Sequence, residues 1–245
     1  MKSFIKAITM VGLTATAMSS NATGLFDSFT GNIGLSNLQT TDMRLITNGG
    51  GYVIFGGVAA TKQISGASVT LGVDASQQLA KDRGDAMPLH STNNLDKYVD
   101  VVIPAKAGLI KSLRFSWHNE APVTNGATSG VSYETYKMGV GAAVDKVDAD
   151  VSVVMGSQVA VSTQKYSGYS VTLSHELTKG TVKALFNELS IEQVGSDQAY
   201  GVAYAVPVGP GTLQLSYLQN RDGTAGGTSY DIGPRIGVSY TLEAG

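Results

Sequence analysis

No cysteine occurs among the 245 residues, which excludes a disulfide framework and any thiolate metal or redox site. Charge is sparse and nearly balanced, 17 basic residues against 19 acidic, so there is no concentrated positive field and no nucleic-acid partner is expected. Beyond residue 24 no stretch approaches the roughly eighteen consecutive apolar residues of a membrane-spanning helix. Catalytic signatures are missing as well. His90, His118 and His175 have no metal-ligand spacing, and there is neither a Gly-x-Ser-x-Gly elbow nor a phosphate-cradling Gly-Lys-Ser/Thr. Ser174 and His175 are chain neighbours in a strand-like run, where adjacent side chains face opposite ways, so they do not make a dyad. Gly49-Gly50-Gly51 reads as a turn or kink. No catalytic residue, metal site or cofactor is expected, and the chain does not read as an enzyme.

Export is legible at the start. Lys2 and Lys6 precede an apolar stretch from Ala7 to Ala17, and Ser20, Asn21 and Ala22 suit cleavage after Ala22, with Ala15-Thr16-Ala17 as another site. The expected division is a signal peptide over 1–22 and one domain over 23–245, of ordinary size for a barrel or sandwich.

The dominant pattern thereafter has period two. Val69, Leu71 and Val73 alternate with Thr70, Gly72 and Asp74, and Leu113, Phe115 and Trp117 with Ser112, Arg114 and Ser116. Val171 and Leu173 oppose Ser170, Thr172 and Ser174. Ile232, Ile236, Val238, Tyr240 and Leu242 share a parity interrupted only by Pro234. The punctuation is Ser65-Gly66, Lys179-Gly180, Gly195-Ser196-Asp197, Gly209-Pro210-Gly211 and residues 222–227. The spacing predicts strands near 31–38, 43–48, 52–64, 68–79, 98–105, 111–118, 129–137, 138–147, 150–161, 166–177, 181–194, 198–208, 212–221 and 230–242. Many reach the length that a tilted strand needs to cross a bilayer, longer than sandwich strands. The expected fold is all-β, an antiparallel up-and-down transmembrane barrel of about 12–14 strands, even in number. A mean hydropathy of +0.05 fits alternating lipid-facing and lumen-facing residues. Ala199, Gly201, Ala203 and Ala205 form a small parity, opposed by Tyr200, Val202, Tyr204 and Val206; with Tyr217, Tyr240 and Trp117 these tyrosines are candidates for interfacial girdles. The other reading of the aromatics is the core of a soluble sandwich.

The stretch from Val69 to Trp117 resembles the general diffusion porins of Gram-negative bacteria. It runs from the strand Val69-Thr70-Leu71-Gly72 through the polar segment Lys81 to Asn94. Leu95-Asp96-Lys97-Tyr98-Val99 then resembles the lead-in to the strand that follows a porin constriction loop. Pro104 lies six residues past Tyr98 without a preceding Ser, a departure from the porin pattern. Ala203-Tyr204 to Leu218 and Ile232 to Leu242 are similar to the closing hairpin. The resemblance covers about two thirds of the chain beyond the leader, which is short for the roughly sixteen strands of the family. Porins commonly close on an aromatic residue; here Tyr240 is followed by Thr241 to Gly245, so either Tyr240 and Leu242 serve in its place or the lineage is unusual. The resemblance implies a water-filled pore in the outer membrane, a homotrimer, and outer-membrane lipid and small hydrophilic solutes or ions as partners.

Selectivity in such a pore comes from charges facing a narrow aqueous path. The candidates by parity are Asp74, Asp100, Arg114 and Arg235, with Lys183 beside them. Lys81, Asp82, Arg83 and Asp85 belong to the segment best suited to fold inward, which reads equally as an external loop. Their charges nearly cancel, and the acidic excess of the whole chain tilts only faintly towards cations. The alternative function is a non-channel envelope β-protein with a structural or adhesive role.

Overall fold

The computed structural model describes residues 24–36, 52–79, 93–122, 132–159, 163–192, 195–221, 223–225, 228–230 and 235–244. They form β1 (Ser28–Ser36), β2 (Tyr52–Ile64), β3 (Ala67–Leu79), β4 (Asn93–Ala107), β5 (Ile110–Pro122), β6 (Ser132–Val144) and β7 (Val147–Val159). These are followed by β8 (Thr163–Leu177), β9 (Gly180–Ile191), β10 (Gly195–Val208), β11 (Gly211–Arg221), β12 (Gly223–Ala225), β13 (Thr228–Tyr230) and β14 (Arg235–Ala244). Twelve strands close an antiparallel barrel in the order β1-β14-β11-β10-β9-β8-β7-β6-β5-β4-β3-β2, and β12 and β13 make a separate hairpin. This lies within the twelve to fourteen strands that the alternation predicts.

Two-residue turns join β2 to β3, β4 to β5, β6 to β7, β8 to β9 and β10 to β11, all at one end of the barrel. Ser65 and Gly66 both have positive φ (51° and 86°), the sign pattern of the type I′ hairpin that matches the twist of the flanking strands. Asp145 holds the same region (φ 56°) at the start of the β6–β7 turn. The opposite end carries the longer connections. β1 begins and β14 ends at the tight-turn end, where Ser28 faces Thr61 and Ala244 faces Phe29. There Asp27 accepts hydrogen bonds from the Gln63 N–H (2.6 Å) and the Lys62 ammonium (2.9 Å). These hold its carboxyl below the ordinary 3.8, the Gln63 bond contributing most.

Alternation sorts the side chains around the wall. Leu71, Val73, Leu113, Phe115, Met138, Val151, Val153, Leu173, Val202, Leu215 and Val238 all point outward and are exposed. Every described residue that is buried (Gly57, Gly72, Asp96, Ser112, Glu120, Gly141, Val154, Tyr166, Leu189, Ala203, Ala205 and Gly237) lies on the opposite parity, inside the barrel. The outward apolar run of β6, from Tyr136 to Val144, spans roughly 20 Å along the barrel axis at the usual tilt, close to a lipid-facing band. It ends at polar outward residues, among them Lys97, Asn119, Glu134, Lys165, Glu188 and Gln219. Just inside that edge stand Trp117, Tyr136, Tyr169, Tyr200 and Tyr217. Trp117 Nε1 (3.1 Å) and Tyr136 Oη (2.7 Å) donate to Glu134, Tyr169 Oη donates to Glu188 (2.9 Å), and Tyr217 Oη donates to Gln219 (3.0 Å). At the other edge Tyr240 Oη donates to the Val208 carbonyl (2.8 Å).

Several boundaries differ from the sequence expectation. The break between Lys137 and Met138 does not exist: β6 runs through it, because Thr135, Lys137 and Gly139 keep the inner parity and Tyr136, Met138 and Val140 the outer. The turn comes at Asp145-Lys146 instead. β4 starts at Asn93 rather than Tyr98, and β5 runs to Pro122 rather than His118. The single strand expected over 230–242 is instead β13, ending at Tyr230, and β14, starting at Arg235. The strand expected at 43–48 lies outside the described residues.

Candidate functional site

The inner face is read most directly along rows of facing residues, whose side chains sit about 5 Å apart across each ladder. One row is Asn32, Gly57, Asp74, Asp96, Glu120, Tyr133 and Gln158, on β1 to β7. Three carboxylates thus face one another on β3, β4 and β5. Like charges in such positions repel, and all three are engaged by other groups. Asn32 Nδ2 approaches Asp74 Oδ1 at 3.5 Å, passing over Gly57, where any Cβ would collide with the Asp74 carboxylate.

The next row contains Gly72, Tyr98, His118, Thr135, Gly156 and Tyr166. His118 stacks on Tyr98 (ring centroids 5.3 Å apart, 17° between planes). Its Nδ1 lies 3.0 Å from Asp96 Oδ2 and its Nε2 3.7 Å from Asp100 Oδ1, so carboxylates flank both ring nitrogens. Tyr166 leans over Gly156 to Thr135 Oγ1 (2.5 Å), and with Val154 and Leu189 it forms a buried apolar cluster bordered by Tyr133.

Nearer the tight turns, Arg114 Nε meets Asp150 Oδ1 at 2.9 Å and Lys111 meets Asp148 at 2.8 Å, both reaching from β5 to β7 across β6. Gly141 of β6 lies between Arg114 and Asp150, and the missing side chain leaves the path open. From β8 onward the inner face changes character. It presents Ser170 and Thr172, then Asn187, then Ala199, Gly201, Ala203 and Ala205, then Thr212, Gln214 and Ser216, and then Ser239 and Thr241, with Lys183 the one described cation among them.

Of the residues singled out from the sequence, Asp74, Asp100, Arg114 and Lys183 occupy the inner face. Asp74 and Asp100 stand on adjacent strands, while Lys183 is four strands from Arg114. Arg235 opens β14 opposite Leu218, and its side chain lies outside the described residues, as do Lys81, Asp82, Arg83 and Asp85. The sequence reading missed Asp96, His118, Glu120, Lys137 and Asp150. Extending the alternation two residues either way, from Tyr98 back to Asp96 and from His118 on to Glu120, was the signal for two of them. His175, at the turn end of β8, contacts the Lys146 carbonyl (3.1 Å). Among the described residues no group of three or more His, Asp or Glu side chains could hold a metal ion.

No protein-family model and no curated protein matches the sequence. Solved structures do. The COG4313 outer membrane channel from Pseudomonas putida F1 superposes with a TM-score of 0.64 at 8% identity, over 89% of this chain and 96% of that one. The fold is that of an outer-membrane β-barrel. The KdgM porin in complex with disordered oligogalacturonate gives 0.53 at 9% identity, over 88% of this barrel and 98% of that chain. LpxR from Salmonella typhimurium gives 0.50 at 10%, over 88% and 99%. Identities this low make the likeness one of fold.

Proposed function

We propose that the chain is an outer-membrane porin, a water-filled channel for passive diffusion of small hydrophilic solutes and ions, exported behind a cleaved leader over 1–22. The observation that carries the reading is the division of one closed wall into an apolar, exposed outer face and an inner face of carboxylates, hydroxyls and amides. An aqueous path through lipid has this composition, whereas a soluble sandwich buries its apolar parity. Twelve strands about 4.8 Å apart and tilted about 40° close at a backbone diameter of about 24 Å, wider than the eight-stranded barrels that side chains fill. Asp74, Asp100, Arg114 and Lys183 are proposed to line the path, joined by Arg235 and by Lys81, Asp82, Arg83 and Asp85 if their segment folds inward. The homotrimer comes from the porin resemblance.

One observation favours a second reading. Val154, Tyr166 and Leu189 are almost fully buried although they stand on the inner wall, so part of the lumen is dry and packed, as in a plugged barrel with a structural role. Planar-bilayer recording of the detergent-refolded protein separates the two. Discrete ohmic steps support the channel; a folded, inserted protein that never conducts refutes it and leaves the structural reading.

A further inference from the structure

Resting on the channel reading, we infer that the pore prefers cations to anions, and that the preference is set by the arc of inner wall formed by β3, β4 and β5. Asp74, Asp96, Asp100 and Glu120 stand on this arc, with Asp150 and Glu176 further round. The described inner-face cations are Arg114, Lys137 and Lys183, besides the rim pair Lys111–Asp148, whose charges cancel. Six carboxylates therefore stand on the inner wall against three described cations; Asp96 and Glu120 are buried against other groups, so Asp74, Asp100, Asp150 and Glu176 are the ones nearer the path. Arg114 is already matched by Asp150 at 2.9 Å, so it adds no positive field of its own. His118, between Asp96 and Asp100, reduces the excess by at most one charge when protonated.

At positions of the inner parity whose side chains lie outside the described residues, Arg235 adds one positive charge and Asp197 and Glu243 one negative charge each. Residues 37–51 contain one acid and one base, residues 80–92 two of each, residues 123–131 none, and residues 222–234 two acids and no base. Whichever of these groups bond to the wall carboxylates, the sum over wall and connections stays negative. Geometry lets that excess act on a passing ion. In a barrel of about 12 Å backbone radius, the side chains of one arc reach to within about 8 Å of the axis, the screening length at physiological salt. The opposite wall, β8 to β14, offers mostly hydroxyls, amides and alanines, with Glu176 and Lys183 as one charge of each sign; its hydroxyls and amides hydrogen-bond to a hydrated ion or a neutral solute without selecting its sign. An anionic sugar polymer is the substrate class that this wall disfavours.

The test is the reversal potential of single channels under a tenfold KCl gradient, for the wild type, Asp100→Asn and Arg114→Gln. The wild type is expected to reverse on the potassium side of zero. Removing the Asp100 charge lowers the potassium-to-chloride permeability ratio by about two- to fivefold, and removing the Arg114 charge, which leaves Asp150 uncompensated, raises it by a similar factor. Because the two substitutions shift the ratio in opposite directions, a general loss of structure does not imitate the result. Conducting channels that prefer chloride, or variants that both leave the ratio unmoved, overturn the cation assignment while the porin stands. A folded protein without any conductance overturns both.

Discussion

Replacing Gly168 and Gly141 by alanine separates two uses of glycine on the inner wall. A Cβ on Gly168 would run into the carbonyl oxygen of Glu188 on the paired strand, with the Glu188 carbonyl carbon at 2.8 Å and Leu189 Cα at 2.9 Å. All three are backbone atoms, so β8 and β9 must separate locally. Overpacking of this kind costs about 1–3 kcal/mol, and one or two ladder hydrogen bonds lost with it add about 1 kcal/mol each. Gly168→Ala is therefore expected to lose about 2–4 kcal/mol. A Cβ on Gly141 meets the Ser112 hydroxyl, which can rotate away, then Asp150 Oδ1 at 3.1 Å and Arg114 Nε at 3.5 Å. Its cost is a loosened Arg114–Asp150 pair, and with side chains 48% and 34% exposed that pair is worth at most about 1 kcal/mol. Urea unfolding in lipid vesicles, followed through Trp117, the only tryptophan, reports both variants. Equal losses for the two, or a Gly168→Ala midpoint at the wild-type value, would refute the distinction between backbone and side-chain obstruction.

The facing of the wall is tested by two neighbours on β7: Val153→Arg should cost about 2–4 kcal/mol near the bilayer midplane, whereas Ser152→Arg should fold with little loss, as urea midpoints in vesicles will show. Ser65→Gly should gain about 0.5–1 kcal/mol, since the left-handed φ of 51° costs a serine more than the extra chain freedom costs a glycine. The Asp27 carboxyl is depressed when folded, so its contribution is complete above the ordinary 3.8 and is lost as pH falls through the lowered value. Asp27→Asn should flatten the unfolding midpoint between about pH 2 and 5, and an unchanged slope there would dismiss the Lys62–Gln63 clamp.

Much of the architecture was legible because a barrel in lipid writes its two faces as the two parities of each strand. Val69 to Asp74 and Leu113 to Trp117 needed nothing more. The candidate site was less legible, for the opposite reason. Polar residues usually mark loops, so Leu95-Asp96-Lys97 reads as a lead-in and Asn119-Glu120 as an exit, although in a wall with a polar inner face they are strand. The pairing of Arg114 with Asp150 was beyond the sequence altogether. It depends on three strands in register, with a glycine at the middle position, and no local pattern ties residues 114, 141 and 150 together.

The seam between β1 and β14 has a consequence for time rather than structure. Residues 28–36 gain their second neighbour only when residues 235–244 exist and arrive, so the sheet stays open at both margins through nearly the whole of synthesis. Each unpaired backbone group costs several kcal/mol in hydrocarbon, and an eleven-stranded intermediate exposes two full margins of them. Such a species has no resting place in the bilayer. Membrane insertion and ring closure should therefore be a single kinetic event, and shortening β14 should produce chains that never enter the membrane rather than leaky barrels within it.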